Sequence, residues 1–247
     1  MATHAIPHTP TTTRPRTMNG LGLWSAAATT LLTAAALLIA ITTAPPRSGP
    51  FCQDECLVYP YTDAVAFVPN DYLWMYPAIL IAPALLLLVA AIHHQATDDR
   101  KLFAVIALSF AAATTAIHVT NYFIQLTVVQ PSLLKGEAAA LTLLSQYNPH
   151  GLFIALEDAG YLMMSATLLF MALAFGGHGL MARAIQWIFA ISFGLVVVAL
   201  GSLALRFGAD LEYRFEVAVI LIDWTALIIG GVLLSLSFWR DRPRQNA

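Results

Sequence analysis

Six long runs of apolar residues dominate the pattern of the chain, and short polar stretches separate them. They cover residues 21–43, 73–93, 102–129, 151–175, 180–205 and 215–239. A helix rises about 1.5 Å per residue, so each run is near or above the length needed to cross a hydrocarbon layer about 30 Å thick. The pattern predicts an all-α integral membrane protein: a six-helix transmembrane bundle over residues 21–239, inserted as a multi-pass protein in the cell membrane.

The stretches outside these runs predict four further parts. Residues 1–20 are rich in Thr and Pro and predict a disordered tail, and residues 240–247 predict a second, short tail. Residues 44–70 are rich in proline and aromatic residues, and this loop could fold over the mouth of the bundle or pack on the lipid headgroups. In residues 130–146, leucines recur among polar residues, which predicts an amphipathic helix along the membrane surface.

The basic residues predict which side of the membrane each loop occupies. With the N-terminus in the cytoplasm, eight of the twelve Lys and Arg residues lie on the cytoplasmic side, as the positive-inside rule requires. Both termini are therefore predicted to be cytoplasmic. Arg14 and Arg16 ahead of an apolar run are also typical of a signal peptide, but the run is about twice as long as a signal-peptide core, which favours a retained helix.

Composition supports the membrane assignment and excludes one class of partner. Apolar residues make up 59% of the chain and charged residues 11%, whereas a soluble domain has about 25% charged residues. The basic residues form no cluster of the kind that binds a phosphate backbone, so no nucleic-acid partner is expected. The lipid bilayer is the expected partner, and no residue pattern predicts a cofactor.

The only two cysteines, Cys52 and Cys56, fall in the 44–70 loop. On the outer side of a membrane, two cysteines at this spacing predict a small disulfide. The alternative is a pair of free thiols. A zinc site is disfavoured because two thiolates without further ligands leave zinc under-coordinated.

Acidic residues inside the apolar runs mark a candidate site. Glu157 and Asp158 lie in the fourth run, and Asp223 lies in the sixth, seven residues after Glu216 on the same helix face. A charge near the bilayer centre costs about 3 kcal/mol on insertion scales, so such residues normally face a protein interior or a wet cavity. Asn148 is a suitable helix cap, and a helix starting there would bury Glu157 and Asp158 roughly 13 to 15 Å below it.

A polar stripe follows one face of the third predicted helix. Thr114, His118, Asn121 and Gln125 recur at helical spacing on a surface that is otherwise Ala, Ile and Phe. His118 falls in the outer half of the membrane, so the stripe approaches the depth of the acids. For Asn121 and Gln125, the alternative role is hydrogen bonding between helices.

Together these side chains predict a polar, acid-rich pocket in the outer half of the bundle. The candidates for catalysis are Glu157, Asp158, Asp223 and His118. The expected ligand-binding residues are His118, Asn121, Gln125, Glu157, Asp158, Tyr161, Asp223, Trp74 and Tyr76. Trp74 and Tyr76 are alternatively anchors at the membrane interface. No metal is expected, because the runs contain one well-placed histidine and no His-x3-His pair.

Three functions fit this pocket. The first is binding or transport of a small or amphiphilic molecule, with protonatable acids coupled to it. The second is an intramembrane enzyme of the isomerase or cyclase type, which would use a protonated carboxylate on a lipid or an isoprenoid. The third is a structural membrane subunit. No sequence motif selects among them.

Overall fold

The computed structural model describes residues 16–139, 141–177 and 179–241, and this part of the chain is helical with no strand. Six long helices and two short ones follow in order. They are α1 (Arg16–Thr43), α2 (Met75–Gln95), α3 (Lys101–Ile124), α4 (Gln130–Lys135), α5 (Leu141–Leu144), α6 (Leu152–Ala174), α7 (Gly179–Phe207) and α8 (Tyr213–Arg240). Within the described ranges, six helices are long and apolar enough to cross a membrane, which confirms the predicted helical class.

The six long helices form a closed bundle in which neighbours in sequence are neighbours in space. Each of α1, α2, α3, α6, α7 and α8 packs on the next, and α8 returns to pack on α1. α6 also contacts α8 and, more sparsely, α2, so it is the most central helix. Glu157 and Asp158 therefore lie on the helix that has the most neighbours within the bundle.

The bundle has two distinct ends. At the disulfide end, α1 finishes, α2 begins, and Cys52 and Cys56 lie at disulfide distance, as the sequence predicts. At the termini end, the side chain of Asn19 bonds Asp241 and Gln95, so α1, α2 and α8 meet there. Residues 1–15 of the predicted N-terminal tail and 242–247 of the C-terminal tail lie outside the described residues. Residues 16–20 belong to α1 and not to a tail.

α1 and α8 are in close contact toward the termini end. The ring of Phe238 occupies the space beside Gly22, and Thr30 Oγ1 occupies the space beside Gly231. Neither glycine leaves room for a Cβ, and such small residues are what let two membrane helices approach. This contact holds the two helices together below the disulfide end.

The third apolar run differs from its prediction at its outer end. A π-helical turn, Gln125–Val129, joins α3 to α4, so residues 130–135 continue this helix and do not begin a separate surface helix. Pro131, which has no backbone N–H to donate, comes just after the π turn. Gly136 ends the helix with a left-handed backbone at φ 71°. Of the predicted amphipathic helix over 130–146, only the short α5 remains as a separate element.

Candidate functional site

A cavity of about 510 Å³ lies at the disulfide end, between α1, α6, α8 and the start of α2. This volume is within the range of about 300–1,000 Å³ typical of small-molecule sites. Three groups of residues form its wall. The apolar group includes Leu37, Ala40, Ile41, Val217, Ile220 and Leu221, the aromatic group Phe51, Trp74, Tyr147, Phe153, Tyr213 and Trp224, and the charged group Arg47, Asp71, Glu157 and Glu216.

Wall residues from the disulfide-end parts of α1 and α8 indicate that the cavity opens sideways, between these two helices. Ile41, Val217 and Leu221 belong to its wall and are also 71%, 39% and 50% exposed on the outside of the bundle. We call this gap the lateral opening. Because most side chains exposed on these parts of α1 and α8 are apolar, a hydrophobic chain in the gap would meet mainly apolar side chains.

Two carboxyl groups form the polar end of the cavity. Glu157 on α6 is fully buried and Glu216 on α8 is 8% exposed, and their carboxyl groups lie within hydrogen-bonding reach of each other. We call them the acid pair. Two carboxylates in such a contact repel each other unless one holds a proton. Apart from the contact with Glu216, Oε2 of Glu157 has no hydrogen-bond partner among the described residues.

A chain of phenols extends from Glu157 into the core. The hydroxyl of Tyr122 donates to Glu157 Oε1 at 2.6 Å and lies 3.0 Å from the hydroxyl of Tyr161. His118 packs on Tyr161 with ring centroids 4.4 Å apart. All four side chains are at most 2% exposed. Glu157 therefore connects the cavity to a buried polar cluster between α3 and α6.

An ion pair closes the cavity toward the disulfide end. Nε and Nη2 of Arg47 donate to the two carboxylate oxygens of Asp71 at 3.0 and 3.2 Å, and the hydroxyl of Tyr147 donates to Oδ2 at 3.1 Å. Burial, followed by the nearby Tyr72 and Asp71, raises the pKa of Tyr147, so its hydroxyl stays protonated and remains a donor. Arg47 also lies over the ring of Phe67, at 3.5 Å from its centroid.

Ser48 fixes the same loop to the far side of the cavity. Its hydroxyl donates to the carbonyl of Tyr147 at 2.7 Å and lies 2.9 Å from the hydroxyl of Tyr213. Residues 44–48 are thus bound to the start of α2, to the 145–147 loop and to α8. The first part of the 44–70 loop is therefore a wall of the cavity.

The fourth apolar run also starts its helix later than predicted. α6 begins at Leu152, and Asn148 instead stabilises the preceding turn: its Oδ1 accepts the backbone N–H of His150 at 3.0 Å, and its Nδ2 donates to the carbonyl of Thr142 at 2.8 Å. Glu157 is therefore only five residues, roughly 7.5 Å, from the start of its helix. The acid pair lies nearer the disulfide end than the sequence indicates.

The structure brings some of the predicted site residues together and separates others. His118, Glu157 and Tyr161 form one cluster, and Trp74 is in the cavity wall. Asp223 lies apart from the cavity. The hydroxyl of Ser165 donates to its carboxylate and lies 3.0 Å from Oδ1 and 2.8 Å from Oδ2. This local partner explains how an acid in the sixth run is buried without joining the acid pair.

Four other predicted residues do not line the cavity. Asn121 donates to the carbonyl of Phe153 at 3.0 Å, and Gln125 bonds the carbonyl of Leu144 and the backbone N–H of Gln146, so both act as links between segments. Asp158 points away from Glu157, and its Oδ1 has no partner among the described side chains and backbone. Tyr76 is 53% exposed on the outside of the bundle, as an interface anchor would be.

Several residues of the cavity, and of the cluster behind Glu157, were not in the predicted site. Tyr122, which bonds Glu157 but does not line the cavity, lies four residues after His118 on the same side of α3. The sequence could have indicated Glu216, because it lies seven residues before Asp223 on the same helix face. The contact of Arg47 with Asp71 could not be predicted, because nothing in the sequence pairs two charges 24 positions apart. In the described part of the chain, no group of three His, Cys, Asp or Glu residues is arranged to hold a metal ion.

Comparison of the chain with models of known families, with curated proteins and with solved structures gave no match. The geometry and chemistry of the cavity are therefore the basis for assigning a function.

Proposed function

We propose that the protein is a multi-pass membrane protein that binds an amphiphilic molecule in this cavity. One observation carries the proposal: the cavity has a charged end at Glu157 and Glu216 and an apolar opening between α1 and α8. A molecule with a polar head and a hydrophobic tail matches both ends. Its head would contact the acid pair while its tail passed through the lateral opening into lipid.

The proposal includes the orientation of the bundle in the cell membrane. The disulfide end would be outside and the termini end in the cytoplasm, because the loops at the termini end carry most of the basic residues. Reporter fusions at the N-terminus and the C-terminus should both give the cytoplasmic signal. An external C-terminus would contradict this orientation, since six spans return the chain to the side on which it started.

Photocrosslinking tests whether an amphiphile enters the cavity. We expect dodecanol and dodecylamine carrying a diazirine on the alkyl chain to label residues near Leu37, Ala40 and Ile220 in protein reconstituted in phosphatidylcholine nanodiscs. Unlabelled amphiphile should compete for that labelling, because the cavity holds a limited number of molecules. The labelled peptides are identified by mass spectrometry.

A matched pair of variants on α1 serves as the control. Ala40→Phe places a ring in the cavity and should abolish the competable labelling, whereas Ala35→Phe adds the same ring on the exposed face of α1 and should leave it unchanged. Labelling by both amphiphiles that is insensitive to competitor and to Ala40→Phe would contradict binding. A purely structural role would then be favoured.

A second candidate function, proton-transfer catalysis, is favoured by the contact of Glu157 with Glu216 in the cavity wall, because two adjacent carboxyl groups hold a proton between them. A protonated Glu157 would add a proton to an alkene of a lipid or isoprenoid, and loss of a proton from the adjacent carbon would complete an isomerisation. Deuterium transfer from heavy water into an unsaturated amphiphile, lost in Glu157→Gln, would support this. Binding of the amphiphile without any deuterium transfer would exclude catalysis and leave only the binding function.

A further inference from the structure

The charges around the cavity identify the head group of the ligand. Four charged side chains line the cavity, and two of them, Arg47 and Asp71, neutralise each other in a two-bonded ion pair. The remaining two are Glu157 and Glu216, and among the described residues neither has a cationic partner. The uncompensated charge at this site is therefore negative.

Proton sharing within the acid pair does not remove this charge. If one proton bridges Glu157 and Glu216, the pair still carries one negative charge in a water-poor site. A buried charge is stabilised by a partner of opposite sign or by hydrogen-bond donors. Tyr122 supplies one donor to Oε1 of Glu157, and apart from a proton shared with Glu216, Oε2 of this fully buried residue has no donor in the described part of the chain.

The aromatic side chains around the acid pair also favour a cation. Trp74 and Trp224 both line the cavity, with ring centroids 6.4 Å apart, and Phe153 and Tyr213 complete the surroundings. Aromatic faces attract cations through the ring quadrupole, and the attraction is stronger where water is excluded. An anionic head group would find no free cation in the cavity wall, since Arg47 is already bound to Asp71.

We propose that the ligand is a long-chain amine, whose protonated nitrogen is bound by the acid pair next to Trp74 and Trp224, with its alkyl tail in the lateral opening. This inference rests on the proposed binding function and adds the chemical class of the ligand. The single positive charge of the amine compensates the single negative charge of the acid pair. The amine enters from the membrane, because the tail must lie between α1 and α8.

Competition against the photoreactive dodecanol probe in nanodiscs tests the head group. Dodecylamine should compete roughly tenfold to a hundredfold better than dodecanol, because a charged hydrogen bond in a buried site is stronger than a neutral one. Dodecyltrimethylammonium has the charge without a donor and should fall between them. Butylamine has the head without the tail and should compete far more weakly than dodecylamine.

Variants of the acid pair test the contact itself. Glu157→Gln keeps the shape of the side chain and an acceptor for Tyr122, and should weaken dodecylamine binding by about tenfold and dodecanol binding by much less. Glu216→Gln should act in the same direction. Asp210→Asn removes an exposed carboxylate at the same end of the bundle and should change neither ligand, which controls for attraction of amines to the protein surface.

The outcomes separate this inference from the proposed function. Equal binding of dodecanol and dodecylamine in the cavity, or equal effects of Glu157→Gln on both, would overturn the amine while leaving an amphiphile site. Butylamine binding as tightly as dodecylamine would also overturn it, since the tail would then be irrelevant. Absence of competable labelling by every probe would overturn both proposals.

Discussion

Replacing Arg47 by alanine should lower the free energy of unfolding by about 3 kcal/mol. The substitution leaves the carboxylate of Asp71, which is 2% exposed, without its cationic partner. Breaking a buried ion pair from one side typically costs 3 to 5 kcal/mol, and the lower end applies because Arg47 is 24% exposed. The contact of Arg47 with the ring of Phe67 is lost as well. Unfolding in mixed micelles with increasing dodecyl sulfate measures the change.

Two further variants separate the ion pair from the general effect of removing an arginine. Arg206→Ala removes an exposed arginine at the same end of the bundle and should change the stability by no more than about 0.5 kcal/mol. Arg47→Ala combined with Asp71→Asn should be more stable than Arg47→Ala alone, because no unpaired charge then remains buried. Equal stabilities for Arg47→Ala and Arg206→Ala would show that the pair does not hold the 44–48 segment.

Replacing Gly160 by alanine should destabilise the protein by about 1 to 3 kcal/mol. A Cβ at this position would overlap the imidazole of His118 and lie 3.2 Å from Cγ2 of Ile117, where α6 and α3 are in close contact. The imidazole cannot move away easily, because it is packed on the rings of Tyr161 and Tyr122. Overpacking of a well-filled interior has costs of this size. Thermal unfolding in a mild detergent gives the measurement.

A glycine in open space provides the matched control. A Cβ at Gly194 on α7 would meet nothing within 4 Å, so Gly194→Ala should leave the stability unchanged or raise it by up to about 1 kcal/mol. In a His118→Ala background, Gly160→Ala should cost less than in the natural protein, because the overlapping ring is gone. A cost that is unchanged in that background would exclude His118 as the cause.

The number and extent of the helices could be predicted because they depend on local composition. Each long apolar run has to form a helix, since in lipid every backbone N–H and C=O must be bonded within the segment. The ends were less predictable. Nothing in the sequence indicates that a π turn joins α3 to α4 across Gln125–Val129, or that Asn148 bonds a turn and leaves the start of α6 to Leu152.

The candidate site could be predicted only in part, for a related reason. Burial of Glu157 and His118 follows from the cost of placing them in lipid, but their partners depend on how helices rotate and pack. Glu216 and Asp223 lie on one face of α8, about two turns apart. The sequence therefore does not show which of the two lies beside Glu157. Tyr122 gave no signal because a tyrosine in an apolar run is also an ordinary packing residue.

Tryptophan fluorescence offers the most direct test of the cavity as an amphiphile site. Trp74 and Trp224 line the cavity, whereas Trp24, Trp187 and Trp239 are 70%, 64% and 62% exposed on the outside of the bundle. Replacing the three exposed residues by phenylalanine leaves the two cavity residues as the only tryptophans. Bromine quenches indole fluorescence on contact, so amphiphiles with a brominated alkyl chain report entry into the cavity.

The decisive measurement is the quenching of Trp74 and Trp224 by brominated dodecylamine and brominated dodecanol, with and without Ala40→Phe. In the variant whose three exposed tryptophans are replaced, we expect quenching by at least one of the two amphiphiles to saturate. Ala40→Phe should remove the saturating part of the quenching. Quenching by both amphiphiles that rises linearly with their content in the nanodisc, and is the same with Ala40→Phe, would contradict binding in the cavity.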